Sequence, residues 1–412
     1  MQINADRLWQ SLMDMAQVGA TEFGGSSRIA FSDEDVAGRA LLIEWAKALG
    51  LSVAYDAIGN LFLRREGSED LAPLVMGSHL DTQPKGGRFD GVYGVLAGFE
   101  VIRSLAEHQV VHRHPIEVAV WSNEEGSRFA PAMMGSATFM QKIALEDVLN
   151  TKDIHGISVG DELKRTGQQG PLAFQRPFSA YYEAHIEQGP ILERNQREIG
   201  VVTGGQGILW LNVKTIGKAA HAGTTPMYMR HDSMLATANM MSALEEMILA
   251  KFPDALITFG ELNVPHASRN TIPPYITWSI DIRHPNDTIL LDIEHLAQQI
   301  MHQQAQKRGA DVEISRLWLS PAYQFDPVSI QNVRQSALEL GLSHQNIISG
   351  AGHDAFLMSL HCPTAMIFIP CDGGLSHNEA ENISPLQAQH GAQVLLSSIL
   401  KADQQQNLAQ VS

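Results

Sequence analysis

Cysteine is scarce: the 412 residues hold only Cys362 and Cys371. Two such residues make neither a disulfide framework nor a CxxC metal or redox motif, so both read as small buried hydrophobes. Long apolar runs are missing too, with no stretch of about 18 residues that would span a bilayer. Positive charge falls short. Lys and Arg number 29 against 45 Asp and Glu, which gives a net charge of −16 and a pI near 5.5. That balance argues against nucleic acid or anionic membrane as the main partner. The N-terminal MQINADRLWQ is polar from its first residues, so no signal peptide is expected and the cytoplasm is the expected compartment. No GxSxG elbow occurs, which disfavours a serine hydrolase. Internal repeats and low-complexity blocks are also missing.

What is present reads as a globular chain of two or three domains, with 44% apolar and 18% charged residues. Amphipathic helices are expected over Asn4–Val18 and from the Ser32-Asp33-Glu34-Asp35 cap to Gly50. Short strands are expected at Ser52–Tyr55 and Leu61–Arg64. Apolar runs at Pro73–Met76, Pro115–Trp121, Ala180–Ala184 and Thr364–Ile369 read as buried strands. Residues 136–170 look helical, then loop-like. Helices follow at Pro327–Leu340 and Pro385–Leu400, and Gln404–Ser412 reads as a frayed tail.

The middle of the chain changes style. A strand at Ile208–Ile216, a helix at Asp232–Ala250, strands at Ala255–Leu262 and Tyr275–Ile282, a helix at Asp287–Lys307 and a strand at Asp311–Trp318 spell β-α-β-β-α-β. Leu235, Met240, Met241, Leu244 and Met247 form the apolar side of the first helix. The fold class is therefore α/β: a central mixed sheet flanked by helices, with an inserted ferredoxin-like domain. The expected boundaries are 1–207 with 326–412 for the larger domain and 208–325 for the insert.

The stretch Gly77–Val95, GSHLDTQPKGGRFDGVYGV, organises the chain. His79 stands at a strand end and Asp90 at a helix start, with Gly86, Gly87 and Gly91 letting the chain turn tightly between them. Ligands bind at strand carboxyl ends in open α/β sheets. Taken singly, the pair reads as a hydrogen bond, Glu124-Glu125 after Trp121 as a solvated loop, and His185 as a core histidine. Together His79, Asp90, Glu125, His185 and His377 make five ligands mostly near strand ends. Two divalent metals sharing one carboxylate need about that set. Asp90 is the choice for the bridge and Glu124 for an unligated base. Imidazole-rich ligation favours zinc, manganese, cobalt or nickel over magnesium or calcium.

The motifs GSHLDT with GGRFDG, NEEGSRF, HIEQGP, HAGTTPM, GAGHDA and GLSHN run in order over nearly the whole chain. With them the sequence resembles the hydantoinase/carbamoylase branch of the aminoacylase-like dinuclear metallohydrolases. The resemblance implies two divalent metal ions per subunit, His79 and His185 on one, Glu125 and His377 on the other, Asp90 between them, and Glu124 as general base. Asp81 would orient the His79 imidazole. Gln188 and His353 would line the substrate pocket. The inserted domain would be a lid and dimer interface. From it His221 would reach the partner's site and support the oxyanion, while Asn270 and Arg283 grip the substrate carboxylate.

The implied reaction is hydrolysis of the linear ureido amide of N-carbamoyl-L-amino acids, yielding the amino acid, carbon dioxide and ammonia. β-Ureidopropionase and allantoate amidohydrolase are the alternatives within the same chemistry. A metal-binding scaffold without catalysis is disfavoured by the intact Glu124-Glu125 pair. A homodimer acting on a small ureido acid is expected.

Overall fold

Four strands, Leu74–His79, Ile116–Trp121, Ala180–Ile186 and Thr364–Ile369, are buried along their whole length. Their uninterrupted apolar runs are what a sheet covered on both faces requires. In space the order is Ile116–Trp121, Leu74–His79, Ala180–Ile186, Thr364–Ile369, all parallel. Antiparallel strands flank them: Leu61–Arg65 and then Ser52–Tyr55 on one side, Ile199–Gly205 on the other. The expected central mixed sheet is therefore present. Because the four strands are parallel, their carboxyl ends lie side by side, and each runs into one of the motifs above.

The computed structural model describes residues 1–265 and 267–405. The chain divides into two compact units, Met1–Gly204 with Gln324–Ser412 and Gly205–Tyr323. In the first unit, helices Ala5–Gln17, Asp33–Ala48, Pro327–Glu339 and Pro385–Gln404 are N-capped by Asn4, Ser32, Asp326 and Ser384, each accepting a backbone N–H. The cap at Ser32 is not a full box, because the Asp35 carboxylate takes the Phe31 N–H and pairs with Arg39. Helix Val92–Glu107 is buried round most of its surface, as an all-round apolar sequence demands. Residues 136–170 resolve into Met134–Phe139, Leu145–Asn150 and Val159–Thr166. Strands Ile199–Gly205 and His344–Ser349 were not expected; glycines and polar residues mask their pattern. The tail expected at Gln404–Ser412 lies, beyond Gln405, outside the described residues. Among the described residues no helix is long and apolar enough to cross a membrane.

The second unit follows the ferredoxin-like order. Helices Ser233–Lys251 and Asp287–Lys307 accompany an antiparallel sheet in which Tyr275–His284 and Gly207–Ile216 are central and Asp311–Ser320 lies at an edge. Leu209, Leu211 and Val213 pack with Met240, Leu244, Ile248, Ile280 and Ile293 in its core. Two expectations needed correction. Met247 is 41% exposed, since the buried positions of its helix run Ala236, Met240, Leu244, Ile248. The strand expected at Ala255–Leu262 is broken into Leu256–Thr258 and Leu262–Asn263. Thr258 pairs with Asp281 and Leu262 with Trp278, so one strand carries an extra residue, a bulge.

Gly207–Ile216 and Tyr275–His284 also continue past the sheet. Ile216 faces Tyr275, the Gly217 N–H donates to the Pro274 carbonyl, and Ala220 and His221 pair with Ile272 and Thr271. The result is a two-stranded ribbon with His221 near its tip.

Candidate metal centre

His79 ends its strand and Asp90 stands just before the helix that opens at Val92. The turn between them depends on Gly91, whose φ of +66° belongs to the left-handed region. A Cβ there would lie 2.4 Å from the His79 ring. Gly86 and Gly87 are not in that region, although the Gly86 N–H closes a turn on the Gln83 carbonyl.

The two oxygens of Asp90 face different partners. Oδ1 lies 3.2 Å from His185 Nε2 and 3.8 Å from His79 Nε2. Oδ2 lies 3.3 Å from His377 Nε2, which is also 3.3 Å from Glu125 Oε2. His79, Asp90 and His185 form one group whose ligand atoms lie within 4.8 Å of one another; Asp90, Glu125 and His377 form another. All five residues line a cavity of about 150 Å³, together with Glu124, Gln188, Met133, Ala351 and His353. Glu124 Oε2 stands 3.5 Å from His79 Nε2 and belongs to neither group.

Electrostatics argue the same way. Burial pushes Glu124 well above the usual carboxylate range, helped by Asp354 and Glu125. Burial beside Asp90 pushes Glu125 up to about 8. Burial alone would raise Asp90 as well, but hydrogen bonds from His185 and His377 hold it well below its ordinary value. Burial lowers His79 to about 4, leaving a neutral imidazole able to donate a lone pair. Carboxylates that crowd and raise one another, mixed with imidazole nitrogens, are a donor set for divalent cations. By this test the residues fit a metal centre.

The supporting shell departs in places from the expectation. The His79 Nδ1 partner is the Asp81 backbone carbonyl at 2.8 Å, not its carboxylate. The carboxylate instead accepts the N–H groups of Glu124 and Glu125. Gln188 donates from Nε2 to Asp90 Oδ2 at 2.8 Å, while its buried Oε1 has no partner among the described residues. His353 lines the cavity but packs its ring against His185 with centroids 4.6 Å apart, and its Nε2 meets Ser349 Oγ at 3.0 Å.

The remaining candidates lie in the second unit. His221 Nδ1 accepts the N–H groups of Gly223 at 3.0 Å and Thr224 at 3.2 Å, which puts the ring proton on Nε2. The Asn270 carbonyl accepts the Ala222 N–H at 2.8 Å, so Asn270 shares the ribbon tip with His221. Arg283 does not. It pairs with Ile208 near the opposite end of Tyr275–His284, about 26 Å of extended chain from Tyr275, and meets Asp281 at 2.9 Å. Within one chain, then, the ribbon separates Asn270 from Arg283.

Residues 75–401 match the family described as Peptidase family M20/M25/M40. The chain belongs to that family. It is 43% identical over 401 residues to an N-carbamoyl-L-amino-acid amidohydrolase of Rhizobium meliloti, covering 97% of this chain and 96% of the relative. It is 32% identical over 395 residues to an allantoate amidohydrolase of Escherichia coli, covering 94% and 95%. A solved amidase of the hydantoinase/carbamoylase family from Burkholderia multivorans superposes with a TM-score of 0.93 at 44% identity, covering 98% of this chain and 99% of that one. The family resemblance read from the motifs is borne out, and the chain is an amidohydrolase of a metal-dependent family.

The backbone at this M20 site has features that no motif signals. Asn123, Met133, Gln188 and His377 all adopt positive φ between 51° and 55°. Non-glycine residues in that region cost energy and gather at functional sites. Behind His185, buried Glu183 accepts Ser78 Oγ at 2.8 Å and Tyr181 OH at 3.0 Å, while Asp354 is bonded by Ser136. A short hydroxyl residue in a buried strand is the one sequence hint of such a network.

Proposed function

We propose that the protein hydrolyses the ureido amide of N-carbamoyl-L-amino acids. The observation that carries the chemistry is the division of Asp90, with Oδ1 toward His79 and His185 and Oδ2 toward Glu125 and His377, while Glu124 stands in neither group. Identity of 43% to a carbamoylase over nearly the full length supports the substrate class.

In this reading His79 and His185 would hold one divalent ion, Glu125 and His377 the other, and Asp90 would serve both. Zinc, manganese, cobalt and nickel suit the donors. Such a pair supplies Lewis acidity and a nucleophilic water at neutral pH. Glu124, whose hold on a proton is strengthened by burial and neighbouring carboxylates, takes the proton of the attacking water and hands it to the leaving nitrogen. The unpartnered Oε1 of Gln188 accepts an N–H of the ureido group. His221, protonated on Nε2, donates to the developing oxyanion. Arg283 binds the substrate carboxylate.

The ribbon supports a homodimer whose two copies share each site. Arg283 lies at the end of its sheet where the chain enters at Gly207; His221 and Asn270 lie at the far tip. In this reading the two ends of the ribbon serve different sites of the dimer, Arg283 one and His221 with Asn270 the other. The edge strand Asp311–Ser320 offers the means of pairing. Trp318, 55% exposed, sits opposite Trp210, 42% exposed, with exposed Leu317 and Leu319 beside it. Free buried Cys362 and Cys371 fit a cytoplasmic enzyme.

Allantoate amidohydrolase is the second reading, favoured by the Escherichia coli relative; β-ureidopropionase shares the chemistry. The test is to strip the protein with chelator, reload it with Mn, Zn, Co or Ni, and assay N-carbamoyl-L-amino acids, 3-ureidopropionate and allantoate side by side. Highest kcat/KM on the N-carbamoyl-L-amino acids is expected. Highest kcat/KM on allantoate or 3-ureidopropionate rejects the leading reading.

A further inference from the structure

Glu381 is 1% exposed and close to the centre, yet none of the functions above uses it. Its Oε1 accepts the N–H of Phe89 at 2.8 Å and of Asp90 at 3.1 Å. Its Oε2 lies 3.0 Å from Ser376 Oγ, which lies 3.0 Å from Asp90 Oδ2. Glu381 therefore holds the backbone of Asp90, and the Ser376 hydroxyl, with one proton to donate, stands between the two carboxylates. It sits on the same loop as His377, whose Nε2 faces Asp90 Oδ2. Gly87 makes room for it: a Cβ at Gly87 would fall 2.0 Å from the Glu381 carboxyl carbon. Gly87 is thus required for space and not for a turn. A second tie, Arg88 Nη2 to Asn382 Oδ1 at 3.1 Å, joins the same two segments.

We propose that Glu381 is a positioning residue for the metal centre: one buried carboxylate, seated over Gly87, fixes Asp90 and His377 relative to each other. The proposal rests on the reading of those two residues as ligands. Partners that orient ligands are worth about 10- to 100-fold in metal affinity, which sets the size of the expected effect.

The test uses the full-length protein stripped of metal. Mn(II) and Co(II) are titrated by calorimetry into wild type, E381A, E381Q, G87A, E381A/G87A and H377A. Co(II) absorption and thermal unfolding of each apo protein are recorded. E381A and G87A are each expected to weaken binding by about 10- to 100-fold and to shift the Co(II) bands. The double variant should be no weaker than E381A, since both changes remove one contact. E381Q keeps an oxygen for the Phe89 and Asp90 N–H groups and should stay within a few-fold of wild type. Wild-type affinity in E381A overturns the proposal; if E381A does not fold, wild-type affinity in G87A overturns it. Equal loss in E381Q and E381A also overturns it. H377A separates the two layers. If it binds as wild type, the reading of the centre falls; if it loses metal while E381A and G87A do not, only the role of Glu381 falls.

Discussion

The Asp81 carboxylate accepts the backbone N–H of Glu124 at 3.2 Å, and its other oxygen accepts that of Glu125 at the same distance. Two adjacent acids that repel each other are thereby held through their main chain by a third. Their side chains are left free to diverge, Glu125 toward His377 and Glu124 toward His79. That anchoring suits the proposed division of labour between the neighbours, Glu125 as ligand and Glu124 as base.

Glu124→Gln should keep its metal and lose turnover. The anchoring N–H is retained and no member of either ligand group is touched, so metal content by mass spectrometry stays at the wild-type level. The loss in kcat should be about 10²- to 10⁴-fold, the usual worth of a general base. A variant with near-normal kcat would remove Glu124 from its role.

Gly91→Ala should damage the centre from the backbone. The added Cβ meets the His79 ring and the residue is forced to keep a φ of +66°. A destabilisation of about 1–3 kcal/mol is expected, with lowered metal content. Unchanged Tm and metal stoichiometry would contradict the geometry drawn for this turn.

Mixing two inactive variants tests the shared site. In a heterodimer of His221→Ala and Arg283→Ala, one site would combine an intact Arg283 from its own copy with an intact His221 from the other. The second site would carry both defects. Random exchange of subunits should then restore about a quarter of the wild-type rate. A mixture of His221→Ala with Asn270→Ala should restore nothing, because both residues travel on the same tip. Recovery in neither mixture would refute the division of the ribbon between two sites.

Asp403 offers a pH test away from the metal. Its buried carboxylate would be raised by burial, but His114 and the N–H groups of His114 and Arg113 bring it below its ordinary 3.8. A lowered carboxylate stabilises the fold above the unfolded value, and that contribution is lost as pH falls through the folded value. Asp403→Asn should therefore cost about 1–3 kcal/mol at pH 7. The gap in Tm to wild type should close below about pH 4. A gap that stays constant down to pH 3 would show that charge is not the cause.

The larger unit is legible because its four central strands are unbroken apolar runs, and most of the candidate ligands lie near the ends of such runs. The structure brings all five candidates, His79, Asp90, Glu125, His185 and His377, to one cavity. What the sequence hid depends on contacts between distant segments. Asp81 holds the nearby His79 imidazole through its backbone carbonyl, while its carboxylate reaches the chain at Glu124 and Glu125. Gly87 looked like a turn residue until Glu381 was seen to occupy its side-chain space. Asn270 and Arg283 both suited a carboxylate, and only the strand register showed that they stand apart. Met247 matched the helical period loosely; packing selected Ile248.

The ribbon that carries His221 also acts as a ruler. Its paired strands run from Arg283 opposite Ile208 to Thr271 opposite His221. Removing or adding two residues on each strand would keep every side chain on its own face yet shift the tip by about 6.6 Å. Such a change would leave both the sheet and the metal ligands intact. In the proposed dimer it would alter only how far one copy extends toward the other. The length of this ribbon is thus a distance that selection can tune separately from the chemistry, and relatives that assemble differently should differ here first.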